Sequence, residues 1–72
     1  MTDNKALGNA AFKQKNYRKA VEFYSKQILD TPNDHTVLGN RAAAFQNMGD
    51  YISAKLDAER IIKMKPDWSK GH

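Results

Sequence analysis

The sequence contains no cysteine. That removes a disulfide framework, thiolate metal sites and any thiol nucleophile, and it fits a reducing compartment, so a cytoplasmic location is expected. Long apolar runs are also missing. Nowhere do about 18 apolar residues run together, and the opening Met-Thr-Asp-Asn is polar, so neither a membrane span nor a secretory leader is expected. Glycine occurs only at positions 8, 39, 49 and 71, and this spacing forms no phosphate-binding loop. The histidines are His35 and His72 alone, and His35 sits at an expected helix start, where a surface position suits it better than a role as base or ligand. No enzyme, metal or cofactor is therefore expected.

What is present is modest in size and charge. Seventy-two residues make one small domain with one core, burying a little over ~60% of the unfolded surface. Twelve Lys and Arg against eight Asp and Glu leave a net charge of +4. Lys13, Lys15, Lys55 and Lys63 are scattered along the chain and read as solvated positions, so charge alone selects no partner. Scattered basic residues, with aromatics on the core stripes, also argue against nucleic acid.

The informative feature is a repeat. Pro66 follows Pro32 by 34 residues, and the same shift superposes Tyr17 on Tyr51, Ala20 on Ala54, Ile28 on Ile62 and Gly8 on Ala42. Within this period apolar residues recur at helical spacing: Leu7, Ala10 and Ala11; Tyr17, Ala20, Val21, Tyr24 and Ile28; Leu38, Ala42 and Phe45; Tyr51, Ala54, Ala58, Ile61 and Ile62. Four amphipathic helices are expected. Thr2 or Asp3 caps the first, and Asn16 ends it and caps the second, which stops near Asp30 because Thr31 precedes a proline. Asn33 or Asp34 opens the third, Gly49 supplies a left-handed residue after it, Asp50 caps the fourth and Pro66 ends that helix near Met64. Such short connections make consecutive helices antiparallel, so the expected fold is all-α, two stacked antiparallel helical hairpins. Tyr17, Tyr24, Phe45 and Tyr51 are expected in the core, and Met48 and Met64 as gap fillers.

On these residues the chain resembles the tetratricopeptide repeat family, whose unit is 34 residues long. Leu7, Gly8, Tyr17, Ala20, Tyr24 and Pro32 match its signature in the first copy, and Leu38, Ala42, Phe45, Tyr51, Ala54 and Pro66 in the second. Arg41 and Ala58 depart from it, standing where a larger apolar residue and an aromatic are usual. The resemblance divides the chain into repeat one (about 1–34), repeat two (about 35–68) and the first turn of a third (69–72). On this reading the array is cut short, and the fourth helix should expose an apolar flank carrying Ile61 and Ile62. Weak homodimerisation through that end is expected.

Polar residues on the first helix of each hairpin suggest a function. Lys5 and Asn9 are spaced i, i+4 and share a helical face; Asn40 falls on the corresponding part of the third helix, and Lys70 starts the next unit. Two ammonium groups and two carboxamides at one groove can hold two carboxylates at once. In family members with a two-carboxylate clamp, similar positions bind the acidic C-terminal tails, ending Glu-Glu-Val-Asp, of cytosolic seventy- and ninety-kilodalton heat-shock chaperones. The chain is similar to the N-terminal repeat domains of co-chaperones that organise those chaperones. The resemblance thus implies a peptide-binding adaptor using Lys5, Asn9, Asn40 and Lys70, with Phe12 as a further groove contact. It places one more cation four residues past Lys70, beyond this sequence, so the clamp is expected to be incomplete. The alternative is a structural or self-assembling repeat scaffold without a clamp.

Overall fold

The computed structural model describes residues 3–64, which form four helices and no strand. They are α1 (Asn4–Lys13), α2 (Tyr17–Asp30), α3 (His35–Asn47) and α4 (Tyr51–Met64). Pro66, Trp68 and Lys70, on which the expected third unit rests, lie outside the described residues.

Each start is set by a short polar side chain that satisfies otherwise orphaned N–H groups. The Asp3 carboxylate accepts from the Ala6 N–H at 3.1 Å. Asn16 accepts from Lys19 at 3.4 Å. Asp34 accepts from Thr36 and Val37 at 3.1 and 3.3 Å. Asp50 accepts from the Ser53 N–H at 3.2 Å and from its hydroxyl at 2.8 Å. After α3 the chain turns through Gly49, whose φ of 83° suits a residue without Cβ. After α1 the same left-handed role falls to Lys15, at φ 64°, and not to Asn16, whose side chain is engaged in capping.

The helices pair in antiparallel hairpins, α1 with α2 and α3 with α4, and α2 packs on α3 to stack one hairpin on the other. This is the all-α architecture expected from the repeat. Ala11, Ala20, Tyr24, Ile28, Val37, Leu38 and Ala44 form the buried cluster. Tyr24, Val37 and Leu38 are its largest fully buried side chains, and each such burial contributes on the order of 1.5–3 kcal/mol. Ala20 and Ala54 are both buried, as expected from the repeat.

Several placements differ from the expectation, Leu7, Ala10 and Ala58 being exposed and Phe45 lying outside the core cluster. Tyr51 is 68% exposed, because its side of α4 has no neighbour among the described residues. Ile61 is only partly exposed and packs against the core, and the exposed apolar side chains of α4 are Tyr51, Ile52, Leu56 and Ile62. Met48 takes the C-cap position of α3 and is also exposed, so it fills no gap, whereas Met64 packs against the core.

Arg41 explains its departure from the repeat pattern. Its Nε and Nη2 donate to the two oxygens of Asp57 at 2.8 and 2.6 Å, and its Nη1 donates to the Ser25 hydroxyl at 3.1 Å. Asp57 lies on the inner stripe of α4 and is only 3% exposed. A buried carboxylate needs such a two-pronged partner. One guanidinium on α3 thereby ties α4 to α2.

Candidate functional site

Asn9 and Asn40 belong to different hairpins, 31 residues apart in sequence, yet their side chains meet. Packing of α1 against α3 brings the Asn40 Nδ2 within 3.3 Å of the Asn9 Oδ1, to which it donates. The same oxygen accepts from the Tyr24 hydroxyl at 2.6 Å. Tyr24 reaches it from α2 with its ring buried and its tip at the surface of the core. Burial raises the Tyr24 pKa above its ordinary value, so the phenol stays protonated and able to donate at neutral pH.

Gly8 makes this approach possible. A Cβ there would stand 2.5 Å from Tyr24 Cε1, so the ring lies directly against the α1 backbone. In the second repeat the equivalents of Gly8, Asn9 and Tyr24 are Ala42, Ala43 and Ala58. The tyrosine, the glycine that makes room for it and the asparagine it touches are thus all replaced together.

Beside the two asparagines opens a groove of about 500 Å³, lined by Asn9, Ala10, Phe12, Lys13, Tyr24 and Asn40. Phe12 gives it an apolar wall, and its ring stands edge-on to Tyr17, with centroids 5.2 Å apart. Lys13, four residues after Asn9 on the same helical face, adds a cation at its margin. Lys5 precedes Asn9 by one turn and is half-buried, outside this lining. Amide donors, a cation and an aromatic wall suit an extended anionic peptide with an apolar side chain.

Of the four carboxylate ligands read from the sequence, the structure brings Asn9 and Asn40 together, puts Lys5 on the adjoining turn, and leaves Lys70 outside the described residues. Sequence reasoning missed two groups. Lys13 was one of several scattered lysines, although its i, i+4 spacing from Asn9 was a usable signal. The Tyr24 hydroxyl was hidden because helical periodicity places the ring and says nothing of its polar tip. Among the described residues no group of three or more acidic or histidine side chains is placed to hold a metal ion, and no helix is long and apolar enough to cross a membrane.

Comparison with known families matches residues 6–29 and 35–67 to the tetratricopeptide repeat. Among curated proteins, the chain is 39% identical over 67 residues, 93% of its length, to a heat shock protein sti1 homolog of Schizosaccharomyces pombe. It is 40% identical over 67 residues, again 93% of its length, to Hsp70-Hsp90 organizing protein 2 of Arabidopsis thaliana. Heat shock protein STI1 of Saccharomyces cerevisiae is 40% identical over 70 residues, 94% of this chain. The chain spans only 11%, 12% and 12% of the lengths of these three relatives. No solved structure matches it.

Proposed function

The chain belongs to the tetratricopeptide repeat family, and from that premise we propose that it is a co-chaperone adaptor module that grips the acidic C-terminal tail of a chaperone. Relatives named as Hsp70-Hsp90 organising proteins support the adaptor role and the choice of chaperone partners. The proposed ligands of the tail's two carboxylates are Lys5, Asn9, Asn40 and Lys70, the last on sequence register alone. Phe12 receives an apolar side chain of the tail. Such a module works in the cytoplasm by positioning its partner and has no catalytic step.

The observation that carries this reading is the contact between Asn9 and Asn40, 3.3 Å apart from two hairpins at the edge of an open groove. Two carboxamides held side by side can donate to neighbouring carboxylate oxygens at once, and a lysine on the adjoining turn adds charge. The test is a calorimetric titration with a peptide ending Glu-Glu-Val-Asp. Asn40→Ala and Lys5→Ala should each weaken binding by about ten-fold or more, since a hydrogen bond to a charged group contributes about 1.5–3 kcal/mol. Lys19→Ala, on α2, should change it little. Equal binding by all four proteins would remove the clamp.

A second feature favours self-association as an additional property. Tyr51 and Ile62 share one face of α4, at 68% and 50% exposure, whereas their equivalents on α2 are the partly buried Tyr17 and the buried Ile28. A second copy covering that α4 face would account for its apolar character.

A further inference from the structure

From the paired donors on Asn9 we infer that Tyr24 is a positioning residue that makes the groove select a free carboxylate over an amide, an inference that rests on the clamp reading above. The chemistry starts from the ambiguity of asparagine, whose side chain has an acceptor end and a donor end of nearly the same shape. Free to turn over, Asn9 could offer either end to a ligand and would accept a C-terminal amide about as well as a carboxylate.

Two neighbours bias that choice. The Tyr24 hydroxyl and the Asn40 Nδ2 both donate to the Asn9 Oδ1, at 2.6 and 3.3 Å. Turning Asn9 over would set its own amide nitrogen against that of Asn40, two donors face to face, and would make the Tyr24 hydroxyl accept where it now donates. Tyr24 is 1% exposed and its ring is trapped against Gly8, so the hydroxyl cannot swing away without opening the core. Asn9 itself is exposed at the groove, and with its oxygen held inward its two Nδ2 hydrogens are directed at the ligand. A donor-only end can serve either oxygen of a carboxylate, whereas of an amide it serves only the carbonyl oxygen and meets the nitrogen with repulsion. In the second repeat Gly8, Asn9 and Tyr24 are all replaced by alanine, so this hydroxyl-to-carboxamide contact is made in the first repeat alone.

The experiment uses Tyr24→Phe, which keeps the ring and removes the donor, with Asn9→Asp as a second variant that leaves the core untouched. Each protein is titrated with a peptide ending Glu-Glu-Val-Asp as the free acid and as the C-terminal amide, and the Asn9 side-chain amide resonances are followed by NMR without ligand. Tyr24→Phe should lower the preference for the free acid by roughly 3- to 10-fold, the effect of one hydrogen bond of ordinary strength, and should shift the Asn9 resonances. Asn9→Asp keeps an acceptor for Tyr24 but presents an anion to the groove, so it should lose free-acid binding altogether. An unchanged preference in Tyr24→Phe, with the unsubstituted protein discriminating normally, overturns the positioning role and leaves the clamp standing. If the unsubstituted protein does not discriminate, the clamp reading fails. Unshifted Asn9 resonances in ligand-free Tyr24→Phe would then overturn the orientation itself.

Discussion

A glycine inside a helix costs about 1 kcal/mol of propensity relative to alanine, so Gly8 in the middle of α1 must be kept by something larger. The 2.5 Å approach that a Cβ would make to the Tyr24 ring supplies it. Overpacking of this kind costs roughly 1–3 kcal/mol, which outweighs the propensity gain at most of that range. Gly8→Ala is therefore expected to destabilise by up to about 2 kcal/mol in denaturant unfolding, and a stabilised variant would show that the ring does not sit against α1. Tyr24 also carries a pH signature. Its folded pKa is raised by burial, so its contribution to stability is complete below the ordinary tyrosine value of about 10 and is lost as pH rises through the folded value. Unfolding measured from pH 9 upward should show a steeper loss in the unsubstituted protein than in Tyr24→Phe. At this scale the sequence was legible for the side chains that cap helices. Asp3, Asn16, Asp34 and Asp50 cap as their positions imply. Tyr24, which packs with its ring and donates with its tip, was read only by half.

Between elements, the main tie that helical spacing did not reveal is Arg41 with Asp57. Arg41 looked like a departure from an apolar position, but Asp57 interrupts the Ala54 to Ile61 stripe in the same way, and two opposite charges on facing stripes are a readable pair. Removing one partner strands the other in a nearly dry site, so Asp57→Ala is expected to cost about 3–5 kcal/mol, enough to unfold much of a domain this small. The double replacement of Arg41 and Asp57 by leucine should recover most of that loss, because two apolar side chains avoid the desolvation penalty. Thermal melting of the three variants checks both statements, and a double variant no better than Asp57→Ala would show that the pair does more than neutralise itself. Tyr51 erred in the opposite direction. Its spacing assigns it to a stripe correctly, but a stripe is buried only when another element lies on it, and spacing within one helix carries no information about that neighbour.

Over the whole molecule, the repeat makes the stack of hairpins legible, because each short turn leaves the next helix one antiparallel choice. It also locates the groove, since Asn9 and Asn40 can meet only if α3 crosses α1 in that stack. The exposed face of α4 gives a prediction at the same scale. Sedimentation at increasing concentration should show weak self-association that Ile62→Lys abolishes, and a chain that stays monomeric throughout would remove the self-association proposal. Carboxylate recognition is most directly tested by one calorimetric comparison on the unsubstituted chain, a peptide ending Glu-Glu-Val-Asp titrated as the free acid and again with its C-terminus amidated. A clamp predicts that the free acid binds at least ten-fold more tightly, the equivalent of one charge-assisted hydrogen bond, and that added salt erodes the difference. Equal affinity for the two peptides would contradict it.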